Sequence, residues 1–116
     1  MATGFQYVAD RRTAQGGIVA QMLGRVRDIR RLGAASVDLC LVAAGTIDAY
    51  YEHGLQPWDF AAGALIASEA GLKVAGIDGG PPDSHLTIAA IPRVWEELRD
   101  ALEHAGARRP WDTPTP

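Results

Sequence analysis

Glu52 and Asp59 sit near the start of the segment EHGLQPWDFAAGALIASEAG, which runs from Glu52 to Gly71. Asp59 follows Pro57-Trp58 and precedes the small residues Ala61, Ala62 and Gly63. An Asp there can cap a helix by accepting a backbone N–H, worth roughly 0.5–2 kcal/mol. It can also be an oxygen ligand for a hard cation. Mg2+ is usually held by one or two carboxylates together with substrate phosphate, so one Asp needs partners from elsewhere. Glu52 ends an alternating stretch on its polar side. It reads either as a solvated strand end or as a ligand contact at the rim where α/β sheets bind small molecules. Six residues separate the two acids, enough to turn the chain and bring both to one rim.

Gly33-Ala34-Ala35-Ser36 is a third candidate. Free N–H groups at a helix start attract anions, and small side chains let a phosphate approach closely. A tightly packed helix end explains the same residues. His53, His85 and His104 have no metal-ligand spacing and read as surface or loop residues. Trp58 reads as a packing anchor. Asp78-Gly79-Gly80 reads as a turn.

The elements that must position these residues follow from periodicity. Thr3–Tyr7 reads as a short strand. A helix starts at Asp10, with Ile18, Val19, Met22, Leu23 and Val26 on one face. Arg27–Leu32 can form a short strand. The next helix spans Gly33–Gly45, has few polar positions, and is expected to be mostly buried. Thr46–Glu52 alternates, with Ile47, Ala49 and Tyr51 on one side and Thr46, Asp48, Tyr50 and Glu52 on the other. After a loop at His53–Trp58, Asp59 opens a helix to about Ala70, and Gly71 stops it. Strands over Leu72–Ile77 and Leu86–Ile91 flank a turn-rich link. Pro92 starts an amphipathic helix with Val94, Leu98, Ala101 and Leu102 on one side. This order predicts an α/β domain, layered α/β/α around a mixed sheet. It covers residues 1–106 as a single domain, with a Pro-rich tail over 107–116.

The chain has 116 residues, 47% of them hydrophobic, and a net charge of −3. That suits one folded domain and gives no general pull toward nucleic acid or an anionic membrane. Arg25, Arg27, Arg30 and Arg31 form a local basic run, read as a solvated face. Cys40 is the single cysteine. It lies in an apolar stretch and reads as a buried structural thiol. No stretch approaches the ~20 apolar residues of a membrane span, and the N-terminus has no signal pattern. A reducing, cytoplasmic setting is expected.

WDFAAGALIASEAG (Trp58–Gly71) resembles the second signature of inositol monophosphatases, W-D-x-A-A-G-x-x-I-x-x-E-A-G-G. RRLGAASVDLCLVAAGTIDAYYEHG (Arg30–Gly54) resembles the segment preceding it, and TGFQY (Thr3–Tyr7) resembles the TGFPY that opens the family's C-terminal half. The bacterial inositol-1-monophosphatase type is the most similar. The resemblance implies the C-terminal half of that fold and Mg2+-dependent hydrolysis of a small phosphorylated polyol. It makes Asp59 a metal ligand near the ester leaving oxygen. It makes Glu52 a contact to substrate hydroxyls and Gly33, Ala34 and Ala35 a substrate-binding helix start. The family's first signature, D-P-x-D-G-T, and its metal-binding Glu-Glu pair are absent. Glu96-Glu97 is a pair in the wrong context. Gln6 and Leu72 replace the usual proline and glycine. No catalytic set is complete in this chain, so isolated it is expected to be inactive. Either a missing N-terminal half or a homo-oligomer is expected to cover the exposed wall. The alternative is a non-catalytic binding or dimerisation module, with a protein partner.

Overall fold

The computed structural model describes residues 1–111. Along the chain lie β1 (Ala2–Thr3), α1 (Ala9–Met22), α2 (Ala35–Ala43), β2 (Ala49–His53), α3 (Pro57–Glu69), β3 (Lys73–Ala75), β4 (Leu86–Ala90) and α4 (Pro92–His104). The strands form one mixed sheet in the order β1-β2-β4-β3. β1 runs parallel to β2, and β4 pairs antiparallel with both β2 and β3.

Strand side chains alternate between faces, and here both faces are covered. Ala49 and Tyr51 of β2 join Leu86, Ile88 and Ala90 of β4 in a core closed by Ile18 and Met22 of α1 and by Trp95, Leu98 and Leu102 of α4. Tyr50 and Ala89 point the other way, into a second core with Leu39 and Val42 of α2 and Phe60 of α3. The result is the expected α/β/α layering. Trp95 is fully buried, and its indole N–H donates to Ile88 O at 3.0 Å.

α2 and α3 meet closely because Gly63 has no side chain. A Cβ there would lie 2.8 Å from Leu39 Cβ and Cδ1, inside van der Waals contact. That approach offsets the roughly 0.5–1 kcal/mol a mid-helix glycine costs.

Several expectations are corrected. Among the described residues the stretch Arg27–Leu32 forms no strand and makes an isolated bridge between Arg30 and Ala2. α1 ends at Met22, so Leu23 is exposed and the basic run lies beyond the helix. α2 is not mostly buried. It turns Leu39 and Val42 inward and leaves Val37 and Cys40 exposed, so the thiol is not a core residue. Its polar Asp38 is instead buried. Tyr50, expected on a polar face, is wholly buried beneath α2 and α3. Ile47 packs with Tyr50, not with Ala49 and Tyr51, because regular alternation begins only at Ala49.

Past α4 the chain still packs on the domain. Ala107 is fully buried and donates its N–H to Leu102 O at 2.9 Å. Arg108 bridges Asp78 and Glu103. The expected Pro-rich tail thus opens with packed residues, and its last residues, 112–116, lie outside the described part. No helix among the described residues is long and apolar enough to cross a membrane.

Candidate functional site

A cleft of about 480 Å3 opens where the C-terminal end of β2 meets the starts of α2 and α3. Its lining includes Gly33, Ala34, Ala35, Glu52 and Asp59. Every site residue singled out in the sequence therefore reaches one cavity. A larger groove of about 690 Å3, lined by residues such as Met1, Arg25, Asp48, Leu98 and His104, contains none of them. Position relative to the strand ends, not size, marks the smaller cleft as the candidate site.

Each side chain has a local reason for its place. Gln56 caps α3, with Pro57 as its first residue, where proline's missing N–H costs nothing. Asp59 is therefore the third helical residue and not the cap itself. Its Oδ2 accepts the Gln56 N–H at 2.9 Å, one half of a capping box. One carboxylate oxygen is committed to the helix and the other is left for the cleft. Gly33 and Ala34 precede α2, and Ala35 is its first residue, so the small-residue segment presents the helix N-terminus to the cavity.

Glu52 follows Tyr50 on the same face of β2. It accepts the Tyr50 hydroxyl at Oε1, 2.8 Å away. Burial pushes the Glu52 carboxyl up, while that hydrogen bond opposes the rise. Asp38 and Asp59 raise it further, and Arg31 lowers it. Tyr50 is itself pushed up strongly, first by burial and then by Glu52. Asp38 is buried as well, and neither of its carboxylate oxygens has a hydrogen-bond partner among the described residues. Burial pushes its carboxyl up to about 6, against the pull of Arg31.

Arg31 and Trp58 are among the lining residues that were not anticipated. Arg31 brings a cation to the cleft, and its guanidinium lies 5.9 Å from the Phe5 ring centre. The signal was its place at the end of the basic run, two residues before Gly33. Trp58 is 81% exposed and lines the cleft. It is not a packing anchor, because the second residue of α3 faces away from the sheet. His53 is not a surface or loop residue. It ends β2 buried, with Nε2 2.7 Å from Ala107 O. Nε2 must donate to that carbonyl, which in the neutral ring leaves Nδ1 unprotonated and, among the described residues, without a partner. Burial lowers its pKa to about 4.

The chemistry open to this cleft is anion and polyol binding beside one free carboxylate oxygen. Mg2+ prefers near-octahedral oxygen ligation. Among the described residues no group of three or more His, Cys, Asp or Glu side chains could hold a metal. Asp38, whose charge also raises the Glu52 carboxyl, is buried inside the protein. The donor set fits one corner of a Mg2+ site and not the whole of it.

Comparison with known proteins finds relatives along nearly all of this chain. The profile of the inositol monophosphatase family matches residues 1–108. The inositol-1-monophosphatase of Mycobacterium leprae is 48% identical over 112 residues, which are 95% of this chain and 38% of that protein. The Nus factor SuhB of Escherichia coli K12 is 42% identical over 115 residues, covering 89% of this chain and 43% of that one. The solved structure of Mycobacterium tuberculosis SuhB superposes with a TM-score of 0.81 at 46% identity, covering 93% of this chain and 42% of that chain. The chain thus spans about two fifths of the length of these relatives. It belongs to the inositol monophosphatase family.

Proposed function

We propose that this chain forms the substrate-binding wall, and one corner of the metal site, of an Mg2+-dependent phosphatase. Its substrate class is a small phosphate monoester of a polyol, such as inositol 1-phosphate. The observation that carries this reading is the meeting of Glu52, Asp59 and Gly33–Ala35 on one cleft. The free N–H groups before α2 and the Arg31 guanidinium would take phosphate oxygens. Glu52 would accept hydrogen bonds from polyol hydroxyls, and Asp59 would lend its free oxygen to the metal. When bound, Mg2+ would neutralise charge on the phosphoryl oxygens and the leaving alkoxide. The described residues offer no further ligand group, so the remaining metal ligands would come from another polypeptide segment, and the isolated chain binds without turning over. A cytoplasmic setting accompanies this reading.

The test is an assay of inositol 1-phosphate with millimolar Mg2+. The chain alone should give no turnover. Adding a polypeptide that carries D-P-x-D-G-T and the Glu-Glu pair should give turnover that disappears with Asp59→Asn. Turnover by the chain alone that vanishes with Asp59→Asn would refute the claim of inactivity. Turnover of the assembled protein that ignores Asp59→Asn would refute the metal role.

A second reading is a non-catalytic binding or dimerisation module. It is favoured by the exposed apolar residues Val37, Leu65 and Ile66 on α2 and α3. Relatives named Nus factor SuhB support a protein partner. Tight association of the chain with itself, without any ester binding in the cleft, would favour it.

A further inference from the structure

We propose that Tyr50 is a positioning residue for Glu52: its buried hydroxyl holds Oε1 so that Oε2 is presented to a ligand hydroxyl in the cleft. The ligand class rests on the reading of the cleft given above, while the positioning rests on geometry alone. Tyr50 is wholly buried, so its ring is fixed by the packing of α2 and α3. Its hydroxyl hydrogen bond goes to Glu52 Oε1 at 2.8 Å. A phenol that donates to one carboxylate oxygen sets the plane and rotamer of the whole group and leaves the second oxygen open.

Gly4 supplies the room. A Cβ at Gly4 would lie 2.3 Å from Glu52 Oε1, 2.6 Å from Cδ and 2.8 Å from Oε2. No side chain of any kind fits there while Glu52 keeps this position. Gly4 is not among the positive-φ glycines, so its role is clearance. The floor of the cleft is thus a clamp: Tyr50 pulls the carboxylate from below, and the bare backbone at Gly4 lets it lie flat. The charged and titratable groups facing Glu52 are Tyr50 on its own strand, Asp38 on α2, Arg31 before α2 and Asp59 on α3.

A polyol ester uses the clamp, whereas a simple alkyl phosphate presents no hydroxyl to it. Loss of the Tyr50 hydroxyl should therefore discriminate between them. The experiment uses the 116-residue chain with 13C-labelled glutamate. The Glu52 carboxyl signal is followed against pH, and binding of inositol 1-phosphate and methyl phosphate is followed by NMR. Tyr50→Phe keeps the ring and removes the donor. The Glu52 titration should move to higher pH, because the ionised form loses its hydrogen bond. Affinity for inositol 1-phosphate should fall about fivefold, and affinity for methyl phosphate should hold. Gly4→Ala should give the same selective loss by displacing the carboxylate, with Tyr50 intact. An unmoved Glu52 titration in Tyr50→Phe overturns the proposal, as does an equal loss for both esters. If the unaltered chain binds neither ester, the reading of the cleft fails, and the titration still decides the role of Tyr50.

Discussion

α4 turns Arg93, Glu96, Glu97, Asp100 and Glu103 away from the sheet, whereas α2 and α3 turn Val37, Cys40, Leu65 and Ile66 outward. The outer face of α4 is threaded by exposed ion pairs, such as Lys73 with Glu96 at 3.1 Å and Arg99 with Glu96 at 3.6 Å. Such pairs add little stability, but they suit a face in permanent contact with water. On α3 the exposed positions run Trp58, Ala61, Ala62, Leu65, Ile66 and Ser68, with a charge only at Glu69. The inner faces of both layers are alike, each a packed hydrophobic cluster against the sheet. The two layers therefore differ in what lies outside them. One is finished as a surface. The other has the composition of an interior layer, in a chain that spans about two fifths of its relatives.

The largest expected effect tests whether the inner faces are equivalent. Trp95→Ala removes a fully buried indole and its hydrogen bond to Ile88 and should cost about 3–5 kcal/mol. Leu39→Ala on α2, also fully buried, should cost about 2–5 kcal/mol. Urea unfolding of both variants measures the difference. A loss below about 1 kcal/mol for Leu39→Ala would mean that the α2–α3 layer is not firmly packed without a cover, and the comparison would break at its base.

The next effect, on the order of 1–3 kcal/mol, lies in two buried titratable groups. Asp38 serves the α2 layer, and its carboxyl is raised to about 6. The folded state then holds a proton that the unfolded state has lost, so this group's contribution worsens as pH rises through its folded pKa. His53 has a pKa lowered to about 4. The unfolded state takes up its proton first, so this group's contribution worsens as pH falls below the ordinary imidazole value. Between about pH 4 and 6 the slopes oppose each other. Asp38→Asn should stabilise the chain at pH 7, lose that advantage by pH 4, and reveal the full acid sensitivity of His53. Thermal melts at half-unit pH steps would show it. A gain that is the same at pH 4 and pH 7 would remove ionisation of Asp38 as the cause.

How much of this was legible in the sequence depended on whether an element has one apolar face or several. α4 has a single stripe, and Leu98, Ala101 and Leu102 could be assigned to the core from spacing alone. α2 is apolar nearly all round, so the pattern gives no direction, and the burial of Asp38 and exposure of Cys40 were both missed. The same ambiguity hid the buried state of Tyr50, since β2 is covered on both faces and alternation does not mean one wet side. His53 was misread because its partner, Ala107, lies far along the chain. At the site, Glu52, Asp59 and Gly33–Ala35 were local signals at strand and helix ends, where chain geometry limits the choices. Their convergence needed the sheet order, and Arg31 looked like one more member of a basic run. The Tyr50 contact to Glu52 joins residues two apart on one strand, a spacing that was visible but carried no signal until the face was known to be buried.

The smallest effect on stability sharpens the comparison most. Leu65 is 63% exposed and Ile66 48% exposed, so replacing both with lysine removes little buried area. Stability should change by no more than about 0.5 kcal/mol, as for ordinary surface substitutions. Self-association should change far more. A contiguous apolar face attracts other apolar surfaces, and two like charges at its centre oppose any second copy or cover. The chain should sediment as larger species at high concentration, and Leu65→Lys with Ile66→Lys should shift it toward monomer. The matched control places leucine at Glu96 and Glu97 on α4, which should introduce association where there was none. A chain that stays monomeric at every concentration, unaffected by the lysines, would show that an apolar outer face here is only composition. Association that the lysines abolish would show that this layer was shaped to be covered.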